Sequence, residues 1–497
     1  MSQLTSQLSS VDTVFLNAET GTTQAHIAGL AVIDPAACPG GRLTPEAAAD
    51  LIATRAHLAP RPLRRRLARV PLGLDRPYWE DDPDFDPARH ITEITLPAPG
   101  DDDQLARAVA RLHERPLDRS RPLWEMVIVQ GLAAGRAAVY VKVHHAAIDG
   151  VMAAETLAAL LDLAPEPRAV PAVADAAPQR APRRRAMVGS GLARIAAHPV
   201  ASAAAVARSV PRLDDVPGVG ALPGVARVAR LARGALALGT GFGTGSGAGA
   251  PEAEPATAPP TPFNRPIGPS RAVAFGELPL DEVKRVGRAL GGSVNDVVMA
   301  LCAAALRTWL DKRGELPDEP LVAGVPISLR LTDRAGDGTD SGNQVSILST
   351  PLATHVADPA ERFAAVRADL DRMKGRFAVA GNWVRDVAGL VPAPFARSAT
   401  RLALRAAPLT GLRPLNLIVS NVPGPQFPLY LCGARVLAYY PVSVVTDVSG
   451  GLNITVFSYD GTIDVGIVSC RDLVPDPSEL VDHLHDALNE LKDLARD

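Results

Sequence analysis

The feature that most constrains this chain is an interruption. Residues from about 166 to 262 are rich in Ala, Pro, Gly and Arg and end in the low-complexity run GTGFGTGSGAGAPEAEPATAPPTP. That run is expected to be a mobile linker. Its Gly spacing would suit a phosphate loop only with a strand before it and a helix after it, and the sequence offers neither. At 497 residues the chain is also too long for one ordinary domain. The organisation expected is therefore an N-terminal lobe over 1–165, a linker over 166–262 and a C-terminal lobe over 263–497.

Both flanking zones mix helix and strand signals. In the first, Thr44-Pro45 opens a helix that runs to about Ala59, a cap residue followed by Pro at the first helical position. DDDQLARAVARLHERP reads as a second helix, with an acidic start that suits the helix dipole. WEMVIVQGL and AAVYVKVHH read as strands. In the last zone VNDVVMALCAAALRTWLDKRG is a helix with Gly314 as its C-cap, and PSELVDHLHDALNELKDLA is the final helix. Strands are expected at LVAGVPISLR, NQVSILSTPL, LNLIVSNVPG, ARVLAYYPVS, LNITVFSYDG and TIDVGIVSC. The uneven alternation predicts two mixed α/β lobes, not a doubly wound parallel sheet.

Composition narrows the function classes. A formal net charge of -3 gives no global basic field, so nucleic acid is not the expected partner. Cys38, Cys302, Cys432 and Cys470 lie far apart with no C-x-x-C pair, which supports neither zinc nor a disulfide framework and fits a reducing cytoplasm. No metal is expected. MSQLTSQLSSVDTVF lacks the basic and apolar regions of a secretory signal, and no charge-free apolar run of spanning length occurs.

The sharpest local feature is HHAAIDG, His144 to Gly150, which follows the strand AAVYVKVHH. Strand side chains alternate, so Val139, Val141, Val143 and His145 share one face, and Tyr140, Lys142 and His144 share the other. The all-Val face is expected to be the buried one, with His145 pointing inward from the strand end and His144 on the more polar side. An inward imidazole titrating near neutrality suits a general base. The same residues admit a structural reading, with Asp149 as the N-cap of the helix VMAAETLAALLDL and Gly150 as a tight turn. The residues alone leave both readings open.

HHAAIDG resembles the HHxxxDG signature of the CoA-dependent acyltransferase superfamily, which includes condensation domains of nonribosomal peptide synthetases. SSVDTVFLNAETGTTQAHIAGLAVID, PLDRSRPLWEMVIVQGL, VNDVVMALCAAALR, VPISLR, GNQVSILSTPL, SNVPGP and SYDGTIDVGIVSCRDLVPD are similar, in order, to the bacterial wax ester synthase/diacylglycerol acyltransferase family. The resemblance covers both lobes and omits the linker zone. It implies two chloramphenicol-acetyltransferase-like lobes with the active site in a tunnel between them. It implies direct acyl transfer from long-chain acyl-CoA, a co-substrate rather than a cofactor, to diacylglycerol or a fatty alcohol. Consistently, the chain has no G-x-S-x-G nucleophile elbow.

The resemblance also implies roles. His145 is the general base and His144 helps hold the geometry. Asp149 faces away from substrate and pairs with an Arg, for which Arg330 is the candidate. Asn295 and Asp296 form the motif to which the resemblance points for an oxyanion donor, Asn295 being either that donor or a plain N-cap. Ser420, Asn421, Pro423 and Gly424, followed by Pro425, shape the tunnel floor rather than act chemically. Trp124 is a core residue, and Glu125 makes a buried pair or backbone contact.

Ten Arg between Arg180 and Arg233, against only Asp214 and Asp215, lie among Ala, Val and Leu. A basic amphipathic segment of this kind can lie in an anionic interface. The expected location is cytoplasmic, peripheral on the inner face of the membrane and on lipid droplets. Two other readings compete: a condensation-type acyltransferase, which would need a carrier-protein donor that this chain does not carry, and a catalytically weak lipid-droplet-binding paralogue.

Overall fold

Strands of β-branched residues bounded by Gly, Pro and Asp turns generate two six-stranded sheets, each with helices packed on it. The computed structural model describes residues 7–148, 150–171, 178–209, 258–328, 345–380, 391–406 and 413–496. Through the first half run α1 (Ser10–Ala18), β1 (His26–Asp34), α2 (Pro45–Arg55), α3 (Pro60–Arg64), β2 (Arg65–Ala68), β3 (Tyr78–Asp81), β4 (Ile91–Thr95), α4 (Asp102–His113), β5 (Trp124–Gln130), β6 (Ala137–His144), α5 (Gly150–Leu160) and α6 (Arg184–Ser209). The second half holds β7 (Arg271–Pro279), α7 (Leu280–Ala289), α8 (Val294–Asp311), β8 (Leu321–Ser328), β9 (Val345–Leu352), α9 (Pro359–Ala380), α10 (Ala393–Ala406), β10 (Leu417–Val422), β11 (Tyr430–Leu431), β12 (Ala434–Val442), β13 (Leu452–Tyr459), β14 (Thr462–Cys470) and α11 (Ser478–Leu494).

The sheet orders are β11-β12-β1-β6-β5-β4 and β7-β14-β13-β10-β8-β9. Parallel pairs occur at β4–β5, β10–β13 and β10–β8 within otherwise antiparallel ladders. The two mixed α/β lobes expected from the sequence are present. The capping signals also act locally: Thr44 Oγ1 accepts from Ala47 N–H at the start of α2, and Asp101 accepts from Gln104 N–H at the start of α4. At the end of α8 the C-cap is Lys312, and Gly314, with φ 63°, lies two residues on. The low-complexity run from Gly239 lies almost wholly outside the described residues.

The lobes are not contiguous in sequence. Within the expected C-terminal lobe, β11 and β12 leave for the first sheet, where Ala28 on β1 lies opposite Val442 on β12. β12 then crosses β14 so closely that a Cβ on Gly466 would lie 1.7 Å from the Pro441 carbonyl oxygen. Glycine is required there by contact, not by φ. Tyr439 N–H and Thr462 Oγ1 both donate to the Asp464 carboxylate, each at 2.6 Å. Burial nevertheless pushes the Asp464 carboxyl up to about 7.

Three large apolar clusters follow. One surrounds α8 beneath the second sheet. One lies under α2 and α5 on the first sheet and takes in Phe457 and Tyr459 of the second. The third joins the lobes, combining Leu30, Val127 and Tyr140 of the first sheet with Val273 and Val468 of the second. Among the described residues no single helix is long and apolar enough to cross a membrane. α7 and α8 together pass that test as a pair bent by 98°, but α8 is almost entirely core.

Candidate active site

β6 delivers the histidine pair, but not with the polarity expected from alternation. Tyr140, Lys142 and His144 are as buried as the valines, and Val141 is the half-buried residue of the strand. The reason is non-local. α4 covers this face, and Lys142 Nζ donates to the Leu112 and Arg115 carbonyls at 2.8 and 2.7 Å while pairing with Glu125 at 2.6 Å. A buried ammonium is tolerated because these partners satisfy it. Beside it His113 donates from Nε2 to the Ser443 carbonyl, and its Nδ1 lies 2.8 Å from the Tyr140 hydroxyl. Burial and the Lys142 charge push His113 down to about 3.

β6 ends at His144, so His145 begins the turn instead of closing the strand. His145 is half-buried, and its ring lies flat on Phe15 of α1, with centroids 4.1 Å apart and planes 6° apart. The turn is fixed at four points. His145 N–H donates to the Ala25 carbonyl at 2.8 Å, and Ala147 N–H to the His144 carbonyl at 2.8 Å. Ala146 N–H donates to His144 Nδ1 at 3.0 Å, and the Ala146 carbonyl accepts from Arg61 at 3.5 Å.

His144 is the clamp of this turn. Because Nδ1 accepts from a backbone N–H, the ring proton sits on Nε2, which faces Glu19 Oε1 at 3.3 Å. Burial holds the His144 imidazole below its usual range, against the opposing pull of Glu19. Burial would raise the Glu19 carboxyl, but His144 and Arg119 outweigh it and hold Glu19 down at about 2. Arg119 pairs with Glu19 and also donates to the Leu16 carbonyl at 2.8 Å. The arrangement is an ionised Glu19 orienting a neutral His144.

α1 supplies the opposite wall. Ser9 caps it in a reciprocal box with Asp12. The fully buried Asp12 also pairs with Arg61 at 2.7 Å, and that guanidinium reaches the Ala146 carbonyl. Glu19, Arg61, Asp12 and Phe15 were not among the sequence candidates. The segment holding Asp12, Phe15 and Glu19 carries the family resemblance, and its Ser9-x-x-Asp12 spacing is a capping signature, but neither singles out these side chains.

In the other lobe Ser293 is the N-cap of α8, in a capping box with Asp296. Asp296 Oδ2 accepts from both Ser293 N–H and Ser293 Oγ, at 2.7 and 2.8 Å. The N-cap alternative for Asn295 therefore falls to Ser293. Asn295, at the second helical position, accepts through Oδ1 from Asn421 Nδ2 at 3.2 Å. The two motifs, 126 residues apart, are thus joined. Ser420 and Asn421 are half-buried near the end of β10, and Pro423 is exposed. Gly424 N–H donates to Ser458 Oγ at 3.1 Å, and a Cβ on Gly424 would lie 2.3 Å from the Phe457 ring, so a side chain is excluded.

The two groups border one apolar cluster. Val422, Phe457 and Tyr459 of the second sheet pack into the same cluster as Ala146, Ala147 and Ile148 of the histidine turn. Trp124 is core: its indole N–H donates to the Leu63 carbonyl at 3.0 Å and its ring stacks on His90. Gly150 is the first residue of α5, while Asp149 and Arg330 lie outside the described residues. A cleft of about 660 Å³ lined by Lys312, Arg313 and His483 lies on α8 and α11. It shares no residue with either motif.

Known proteins resemble this chain along nearly its whole length. The wax ester synthase/diacylglycerol acyltransferase catalytic domain matches residues 8–298, and the corresponding C-terminal domain matches residues 341–492. A putative diacylglycerol O-acyltransferase of Mycobacterium tuberculosis H37Rv is 36% identical over 499 residues, covering 98% of this chain and 99% of the relative. A probable diacylglycerol O-acyltransferase of the same strain is 35% identical over 484 residues, 97% of each chain. The wax ester synthase/diacylglycerol acyltransferase from Marinobacter aquaeolei VT8 superposes with a TM-score of 0.67 at 27% identity, over 99% of this chain and 100% of that one. The starter condensation domain of rhizomide synthetase, at 14% identity and a TM-score of 0.50 over 99% and 95% of the chains, shares the fold alone. On the match to both of its domains and on end-to-end identity with its members, the chain belongs to the wax ester synthase/diacylglycerol acyltransferase family.

Proposed function

We propose that this protein transfers a long-chain acyl group directly from acyl-CoA to the hydroxyl of diacylglycerol, with His145 as general base. The observation that carries this reading is the locked turn. His145 is half-exposed beyond the end of β6, its backbone is tied at both sides, and its ring is fixed against Phe15. An imidazole held this way is preorganised to take a proton, and no reorganisation is then required at the moment of reaction.

His145 takes the proton of the acceptor hydroxyl as its oxygen attacks the thioester carbonyl carbon. The tetrahedral intermediate collapses with cleavage of the C–S bond. The imidazolium returns its proton to the departing sulfur, giving an ester and free CoA. Asn421 holds Asn295 through its side-chain oxygen, which leaves the Asn295 amide nitrogen as the donor for the oxyanion. Asp149 and its Arg330 partner are proposed as scaffold, and the acyl chains are proposed to lie between the lobes.

Diacylglycerol leads as acceptor because relatives named for that activity are 35–36% identical along the whole chain. A fatty alcohol is the second acceptor, on the name of the Marinobacter protein. The lipid acceptor also favours a peripheral location at the cytoplasmic face of the membrane and on lipid droplets, with 180–233 contributing contacts. Release of free CoA from palmitoyl-CoA, with dipalmitoylglycerol or hexadecanol, tests the acceptor. Release that requires dipalmitoylglycerol, with triacylglycerol on a thin-layer plate, is expected. Release only with hexadecanol would make the protein a wax ester synthase, and release with neither would refute both assignments.

A further inference from the structure

We propose that the outward face of α10, together with Leu72 and Leu192 beside it, docks the protein on an anionic lipid surface. α10 packs one side on α1. On its other side Phe395 and Leu402, two helical turns apart and so on one face, are 64% and 69% exposed. The turn at 71–73 lies against both α10 and α6. It holds Leu72 out at 90% exposure with φ 57°, a left-handed conformation that a bulky side chain rarely adopts. Leu192 of α6 is 54% exposed, and its neighbour Gly191 packs on Leu74 of the same turn. Single exposed leucines need no account, but four large apolar side chains on three adjoining elements mark an interaction face.

Charge selects the occupant. α6 and α10 carry the exposed Arg184, Arg185 and Arg397 and contain no Asp or Glu, while Arg194 is paired with Asp75 and Arg401 turns inward to the Glu19 carbonyl. Arginine flanking exposed Leu and Phe is complementary to anionic headgroups over acyl chains, whereas a protein partner would have to supply acidic residues around an apolar centre. The face also adjoins the site. α1 lies under α10 and carries Phe15, which stacks on His145. Arg401 donates to the Glu19 carbonyl at 3.2 Å, at the residue that orients His144. A lipid surface here would present a membrane-borne acceptor one helix away from the base. Only that last point rests on the acyltransferase reading; the docking face does not.

The test is flotation of the full chain, without acyl-CoA, on vesicles of phosphatidylcholine alone or with about one-third phosphatidylglycerol. The variants are Phe395→Asp/Leu402→Asp and, as a control, Leu163→Asp, which makes the same change at an exposed Leu beside β11. The wild type and the control should float with anionic vesicles and be released by salt. The double variant, with an unchanged thermal melt, should bind at least about tenfold more weakly. Equal flotation of the double variant, or none by the wild type, would overturn the proposal. So would a concentration-dependent dimer of the wild type that the double variant abolishes, since the face would then belong to a second copy. Vesicle binding lost in the double variant from a protein that makes no ester would uphold docking and refute the acyltransferase reading.

Discussion

The core around α8 and the core around the histidine turn bury different chemistry. Around α8 the second lobe buries an almost unbroken aliphatic set, with Val297, Leu306 and Leu310 at 0% exposure. The first lobe buries charge. Arg55 pairs with Asp162, Arg61 with Asp12 and Lys142 with Glu125, and His144 faces Glu19. Burying ions is costly unless each is paired and hydrogen-bonded, and aliphatic replacements are often as stable. Such networks fix geometry when fully satisfied. Paired charges thus hold the turn in place, whereas the aliphatic core around α8 forms a wall, with Asn295 and Asn421 at its edge.

The sharpest way to break that division is to damage the wall. Leu306→Ala removes a wholly buried side chain from α8 and should lower stability by about 2–5 kcal/mol, read from denaturant unfolding. The turnover of the folded fraction should stay within about twofold. A tenfold loss of turnover in fully folded protein would show that the second lobe shapes the site through its core.

A smaller change in the first lobe should do the opposite. Glu19→Gln keeps the shape but removes the charge that faces His144 Nε2. Turnover should fall roughly 10–100-fold with KM within about twofold, since Glu19 acts through His144 and positions the turn. A matching rise in KM would instead indicate a binding role. The substitution also has an acid signature. The folded pKa of Glu19 is depressed to about 2 from an ordinary 4.5. Its contribution is therefore present above pH about 4.5 and lost as pH falls through about 2, on the order of 2–4 kcal/mol. The stability of Glu19→Gln relative to wild type should rise over that window. A constant difference would mean that Glu19 titrates normally.

Much of the fold was legible locally. α2, α4 and α8 begin close to their capping signals, α11 forms over the expected segment, and β6 runs into HHAAIDG, although its burial does not follow the alternation. Whatever depended on distant partners was not legible. Lys142 reads as solvent-facing until the carbonyls at the end of α4 arrive to satisfy it. Glu19, Asp12 and Arg61 are charges in ordinary segments, and only their convergence on one turn gives them meaning. β12 alternates exposed and buried residues like any antiparallel strand, and nothing in ARVLAYYPV says which sheet it joins. Asn295 was legible as a candidate, but Ser293 as the cap and Asn421 as the partner required the assembled lobe.

The central claim is that the locked turn exists to present His145 as a base, and His145→Ala tests it most directly. Free CoA released from palmitoyl-CoA in the presence of dipalmitoylglycerol should fall by about 10²–10⁴-fold relative to wild type, with the thermal melt unchanged. Release at the wild-type rate by the folded variant would contradict the account and leave the turn without a catalytic role.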